Sequence, residues 1–409
     1  MRIAFLTHEP FYPPSGGGSA EALYLVRELV RRGHQIHVFC PDFPNSGEAD
    51  RRFCCQFHLF KDWPMGRYAR WRNMKYLLYP RRLERLVAQT SLGSVGHPPV
   101  AFDLLLAQHT ISAVAAGRLR SRLQTPVILN YLDFLTGFME TWSPWAMPRP
   151  VVRALTRFEL SLPSRYQVEG VMTVSHPLAD RLAAAGYDGD KIHPILYGFD
   201  SERFQPMAMS PPAEDAPPLV VMHGSFDKHH LGPIAIDMLA EVWNQRREVR
   251  FRFIGRITDA LRAFVHRVRQ RCPGIQIELP GFIPYENISG YLVEADVGII
   301  PYEESNGTHC AFVAKAVEYL GCGIPVASTP LENLTRYFAD EPAVKFGRFD
   351  GRSLAKVVLE WLDRPRKERM NLGVQASRRV ARELDWSTIT QNAASFIESA
   401  GGGKQSNSR

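Results

Sequence analysis

The stretch from Val297 to Ser328 limits the possible folds more than any other part of this chain. Val297-Gly298-Ile299-Ile300 is a short apolar run of the kind buried on both faces of a sheet. A polar loop follows, Glu303-Glu304-Ser305-Asn306-Gly307-Thr308, and then the period changes. Phe312, Val313, Ala316, Val317 and Leu320 recur at helical spacing; Thr308 or Asn306 can cap the start, and Gly321 with Gly323 stops the helix. Ile324-Pro325-Val326-Ala327-Ser328 reads as a second short buried strand. Two strands joined through a helix lie parallel, so the loop before the helix stands at the carboxyl end of an α/β sheet, where such folds bind ligands.

That helix carries one acid, Glu318, with Lys315 one turn earlier. Spacing leaves two readings open. One is an i, i+3 ion pair on a solvated face. In the other, the carboxylate accepts two hydrogen bonds from a vicinal diol while the helix amino terminus faces a diphosphate, and together they bind a nucleotide.

The amino-terminal region repeats the pattern. Arg2-Ile3-Ala4-Phe5-Leu6 is a strand, Ser15-Gly16-Gly17-Gly18-Ser19 a loop, and about Ala20 to Arg32 a helix with Leu23, Val26, Leu29 and Val30 on one face. Gly33-His34 ends it and Gln35 to Phe39 is the next strand. Three glycines let the backbone approach a ligand and turn amides toward it, although a plain tight turn also fits. A dinucleotide fingerprint wants a different glycine spacing and an acid closing the second strand; only Asp42 keeps that alternative open.

A chain of 409 residues, 45% of them apolar, can bury two ordinary cores. The boundary falls where Tyr197-Gly198-Phe199-Asp200 gives way to the proline-rich Met209 to Pro218, before a strand restarts at Leu219-Val220-Val221-Met222-His223-Gly224. A net charge of +7 suits an anionic ligand, an anionic membrane surface or nucleic acid equally. From Phe57 to Leu86, Lys61, Arg67, Arg70, Arg72, Lys75, Arg81, Arg82 and Arg85 alternate with Trp63, Tyr68, Trp71, Tyr76 and Tyr79. That run reads either as a solvated helix or as a patch facing anionic lipid, and no nucleic-acid motif accompanies it. Six cysteines without a CxxC pair read as reduced thiols of a cytoplasmic protein, and no apolar run is long enough to span a bilayer.

The string Lys315-Ala316-Val317-Glu318-Tyr319-Leu320-Gly321-Cys322-Gly323-Ile324-Pro325-Val326 resembles the donor-site signature of retaining family 4 glycosyltransferases of GT-B architecture, and the resemblance extends over nearly the whole chain. It implies two Rossmann-like α/β/α domains with parallel sheets facing a central cleft. Residues 1–200 would form the acceptor domain, 201–218 a linker and 219–384 the donor domain. Residues 385–400 would be a helix crossing back, and 401–409 a disordered tail.

By the same resemblance Glu318 binds ribose hydroxyls, and Gly16, Gly17 and Gly18 contact the donor phosphate and sugar. Phe282 and Ile283 border the base, while Cys310, Ala311, Phe312, Val313 and Lys315 complete the donor site. Four positions depart from the family pattern, one of them Tyr197, where an asparagine is usual. Cys310 replaces a second glutamate, Ser225 an arginine, and Leu132 a histidine. Lys228 then stands in for a phosphate-binding lysine, and His109 and Asp133 are the nearby candidates for a catalytic role. Asp188-Gly189-Asp190 could hold a divalent ion, but relatives have a surface turn there.

The expectation is therefore a metal-independent, retaining transfer of a sugar from a UDP- or GDP-type donor, without a cofactor. The acceptor is a hydroxyl, free or lipid-linked, in polysaccharide, glycolipid or glycoconjugate synthesis, and the protein is cytoplasmic with peripheral contact to anionic membrane. The alternatives are a GT-B nucleotide-sugar epimerase and a binding subunit without catalysis.

Overall fold

The computed structural model describes residues 1–14, 17–62, 74–93, 98–145, 147–206, 216–227 and 229–402. The chain divides into two compact units, one of Met1–Thr136, Pro148–Leu196 and Ile389 onward, the other of Gly137–Met147 and Tyr197–Thr388. An uninterrupted first domain over 1–200 therefore does not describe the chain, since residues 137–147 belong to the second unit. There Glu140 accepts hydrogen bonds from the Asn306 backbone (3.0 Å) and side chain (2.6 Å). Nothing local in the sequence marks that excursion.

The first unit is built on β1 (Arg2–Leu6), β2 (Gln35–Pro41), β3 (Gln56–Phe60), β4 (Leu104–Gln108), β5 (Val127–Tyr131), β6 (Gly170–Thr173) and β7 (Ile192–Pro194), in the spatial order β3-β2-β1-β4-β5-β6-β7. Every neighbouring pair is parallel. Ile3 to Leu6, Leu104 to Ala107 and Val127 to Leu129 are wholly buried, which is why these strands read as continuous apolar runs rather than alternating ones. The order reverses between β1 and β4, so the crevice at their carboxyl ends is this unit's topological switch point.

The second unit repeats the design with β8 (Leu219–His223), β9 (Arg250–Ile254), β10 (Gln276–Gly281), β11 (Val297–Ile300), β12 (Val326–Ser328) and β13 (Val344–Phe346) in the order β10-β9-β8-β11-β12-β13. All of its pairs are parallel as well. Its switch point lies between β8 and β11.

Several local expectations change. The first helix runs Gly17–Arg31, so Gly17 and Gly18 belong to it rather than to the loop. The basic aromatic run is not one helix. Gln56–Phe60 is the edge strand β3 and a helix spans Met74–Leu92, while residues 63–73, with Arg67, Arg70 and Arg72, lie outside the described residues. The helix Arg149–Arg165 was not anticipated. The final helix spans Trp386–Gly402 and so takes up the first residues of the expected tail; 403–409 lie outside the described residues. From Ile389 onward it packs in the first unit, where Arg32 donates to Glu398 at 2.7 Å and the Phe396 ring occupies the place a Cβ on Gly170 would need. Among the described residues no helix is long and apolar enough to cross a membrane.

Candidate functional site

In the second unit, two strand ends and one helix assemble the site around Glu318. The expected single helix is two. Ser305 caps a short helix Asn306–Cys310 in a capping box with Thr308, the chain breaks at Ala311-Phe312-Val313, and a second helix runs Ala314–Gly321. Thr308 therefore takes the reciprocal side-chain role in the box, and neither it nor Asn306 is the cap. The second helix has Val313 as its N-cap residue and no side-chain cap.

Glu318 and Lys315 do not pair with each other. Lys315 Nζ donates to Tyr302 Oη at 2.9 Å and sits over that ring, 5.5 Å from its centroid. Glu318 Oε2 accepts from His223 Nε2 at 2.5 Å, and both side chains are more than nine-tenths buried. The solvated-face reading of Glu318 is thus replaced by a buried acid–imidazole pair. After His223 the chain turns at Gly224, whose φ of +105° favours glycine, and a Cβ there would lie 3.1 Å from Lys315 Nζ. Gly255 lets the next strand end approach closely, since a Cβ on it would fall 2.1 Å from Gly224 O.

Of the other expected donor-site residues, Ser225 is half-buried, Cys310 is fully buried, Ala311 is half-buried, and Phe312 and Val313 are buried. Phe282 is 61% exposed and Ile283 half-buried, both in the loop after β10. Lys228 lies outside the described residues. Glu303 accepts from Ile234 N at 2.9 Å, so the amino terminus of helix Pro233–Gln245 already has a carboxylate; burial raises that carboxyl above its ordinary range. Asp227, His229 and His230 bring one ligand atom each within 4.8 Å of one another, the one such group of metal-ligating side chains among the described residues. Asp188 caps the turn Gly189–Lys191 by accepting from Asp190 N, with both acids exposed.

In the first unit, two fully buried acids brace the switch point. Glu21 accepts from Gln108 (3.0 Å) and Asn130 (2.9 Å), the polar residues near the ends of β4 and β5, and burial raises its carboxyl above the ordinary range despite those bonds. Glu159 accepts from Thr110, Leu135 and Thr136 and is raised by burial in the same way. Between them sits His109 at a left-handed φ of +65°, buried, with no hydrogen-bond partner for Nε2 among the described residues. Its Nε2 lies 4.0 Å from Glu9 and 2.6 Å from where a Cβ on Gly18 would fall, so a larger residue 18 would have to displace the ends of the His109 and Glu9 side chains. Asp133 is half-buried in the loop after β5, and Leu132, at the position of the family's histidine, is buried. Gly17 is exposed at the helix start, and Gly16 lies outside the described residues.

Sequence reasoning did not find His223, Glu9, Glu21 or Glu159. The only advance signal was polarity at strand ends: His223 directly before Gly224, and Gln108 directly before His109.

Two parallel sheets, each with its polar cluster at a strand-order reversal, define the class as the two-domain, Rossmann-like GT-B fold. Residues 15–203 match the family described as Glycosyltransferase Family 4, and residues 217–364 match Glycosyl transferases group 1. The chain is a GT-B glycosyltransferase of the family 4-like kind, its two halves matching these two glycosyltransferase families.

It is 23% identical over 340 residues to WcaL of Escherichia coli strain K12, which carries a name assigning it to colanic acid biosynthesis as a glycosyltransferase; the match covers 80% of this chain and 78% of WcaL. Sucrose-phosphate synthase of Thermosynechococcus elongatus is similar in structure, with a TM-score of 0.77 and 17% identity, over 98% of this chain and 100% of that one. HepE of Anabaena, solved in complex with UDP and glucose, has a TM-score of 0.69 and 15% identity over 98% of this chain and 100% of its own.

Proposed function

We propose that this glycosyltransferase moves a sugar from a nucleoside-diphosphate sugar of UDP or GDP type to a hydroxyl acceptor, with retention and without a metal. The observation that carries the reading is Glu318, a buried acid at the switch point of the second sheet, on a helix whose first turn has no side-chain cap. Its Oε1 and the remaining lone pair of Oε2 can accept from a ribose diol. The uncapped first-turn amides and Lys315 suit a diphosphate. That HepE binds UDP supports this choice of donor.

During transfer the bond from anomeric carbon to diphosphate oxygen breaks, and its electron pair leaves with the diphosphate. The acceptor oxygen bonds to the same face of that carbon, and the acceptor proton passes to the departing phosphate. The chain's task is to hold the groups and stabilise the departing charge. Metal independence belongs to the proposal because Lys315 and the uncapped helix amides can take the departing charge without an ion; the Asp227, His229 and His230 group, with its two imidazoles, suits zinc-like ions and is the place to test it.

The first unit takes the acceptor, with His109 and Asp133 beside it, and WcaL's name supports a polysaccharide. Peripheral contact with anionic membrane rests on a groove of about 470 Å³ lined by Lys61, Arg81, Arg82 and Arg85 together with Phe60 and Leu78. Both matching families are glycosyltransferases, which favours transfer over an epimerase or a non-catalytic subunit.

Titration calorimetry of Glu318→Ala with UDP and with GDP tests the reading. Two charge-assisted hydrogen bonds at about 1.5–3 kcal/mol each predict at least about a hundredfold weaker binding. Affinity within about threefold of the parent would mean that Glu318 is only the buried partner of His223.

A further inference from the structure

We propose that His223 is a positioning residue for Glu318, and that the pair, rather than the glutamate alone, makes the site selective for a ribose over a 2′-deoxyribose. This rests on the reading of Glu318 as the diol acceptor. A glutamate in mid-helix has three side-chain torsions, and nothing on its own helix fixes them, since Lys315 is engaged with Tyr302. The 2.5 Å bond from His223 Nε2 to Oε2 fixes one oxygen and so sets the direction in which the other faces.

The imidazole is itself held. The His223 backbone N–H donates to Tyr319 Oη at 3.1 Å, and the two rings meet edge to face at 5.0 Å. Tyr319 is fully buried in space that Gly298 leaves open, where a Cβ would come within 2.4 Å of the tyrosine ring. The ring's other nitrogen, Nδ1, is buried and has no hydrogen-bond partner among the described residues. Within those residues the imidazole therefore makes one hydrogen bond, and it goes to Glu318. Gly298, Tyr319, His223 and Glu318 thus form a chain of contacts from the middle of the sheet to the carboxylate.

A purely structural histidine would change stability without changing which sugar the site prefers, so selectivity is the readout. Affinities of the full chain for UDP and GDP are measured against their 2′-deoxy forms, together with melting temperature, for the parent, Glu318→Ala, His223→Phe, His223→Asn and His223→Gln. Phenylalanine keeps the ring packing and removes the donor, asparagine is too short to reach, and glutamine retains a donor within reach.

The parent should prefer the ribose form about tenfold or more, and Glu318→Ala should lose that preference. His223→Phe and His223→Asn should weaken the ribose form about tenfold while leaving the deoxy form within about threefold, and His223→Gln should recover most of the preference. If His223→Phe does not fold, His223→Asn is read in its place. An unchanged preference in the folded donor-less variants, or an equal loss for both sugars, overturns the positioning role even when Glu318→Ala behaves as expected. A preference retained in Glu318→Ala overturns the diol reading and this proposal with it.

Discussion

Replacing Glu159 tests whether one buried carboxylate holds two strand-end loops of the first unit in place. It accepts from Thr110 Oγ1 at 2.7 Å, Leu135 N at 3.1 Å, Thr136 N at 2.9 Å and Thr136 Oγ1 at 2.6 Å. The hydroxyls can find other acceptors after Glu159→Ala; the two amides lose theirs. At about 1–3 kcal/mol for each buried donor left unpaired, the variant should lose roughly 2–6 kcal/mol. In a unit of this size, at about 2–4 °C per kcal/mol, that is a fall in melting temperature of about 4–24 °C. Glu159→Gln keeps an acceptor oxygen and should lose much less.

The pH dependence separates these bonds from simple packing. Burial raises the folded carboxyl above its ordinary 4.5, so the folded chain binds this proton more readily than the unfolded chain does. The associated stability is present below the ordinary value and is lost as pH rises through the folded one. Glutamine does not titrate, so the margin of the parent over Glu159→Gln should shrink from pH 4.5 to pH 7.5. Glu21, also raised by burial, is common to both proteins and cancels. Calorimetric melts across that range, with hydrogen exchange at Leu135 and Thr136, read the effect. A Glu159→Ala melt within about 1 °C of the parent, or a margin over glutamine that widens with pH, refutes the reasoning.

Donor turnover should survive EDTA. A loss restored by added metal, and absent after Asp227→Asn with His229→Gln, would assign a working ion to that loop and end the metal-independent reading. If the groove beside Lys61 faces lipid, the protein should sediment with anionic but not neutral vesicles, and release as salt rises past about 0.1 M, where exposed charges about 10 Å apart are screened. Arg81→Gln with Arg85→Gln should mimic high salt; Lys75 is left out because Asp62 already engages it.

What was legible from residues follows from where the information lies. The strands could be read because parallel strands buried on both faces show as unbroken apolar runs, and a run such as Leu219-Val220-Val221-Met222 is recognised from its own composition without knowledge of its partners. Glu318 could be found because it is an isolated acid on an apolar helix. The break at Ala311 to Val313 was hidden because Phe312 and Val313 continue the helical period, and the capping box at Ser305 uses a threonine in place of the usual glutamate or glutamine. Glu21 and Glu159 read as ordinary helix-surface acids, and only the packing of other elements buries them. His223 belongs with these, since its partner is 95 residues away.

The same backbone problem is solved differently at the two switch points, and the difference bears on His109. After β8 the left-handed turn falls on Gly224, which adopts it without strain and leaves His223 free to serve Glu318. After β4 the left-handed residue is His109 itself, and a non-glycine residue held there costs about 1–3 kcal/mol. Such a conformation persists only where the surroundings over-determine it. Here Gln108 on one side is tied to Glu21, and Thr110 on the other is tied to Glu159. The two buried acids thus flank the strained residue and hold it from both sides. Their loss should therefore be felt first at His109, the ring whose Nε2 has no hydrogen-bond partner among the described residues and which stands close to Glu9 and Gly18.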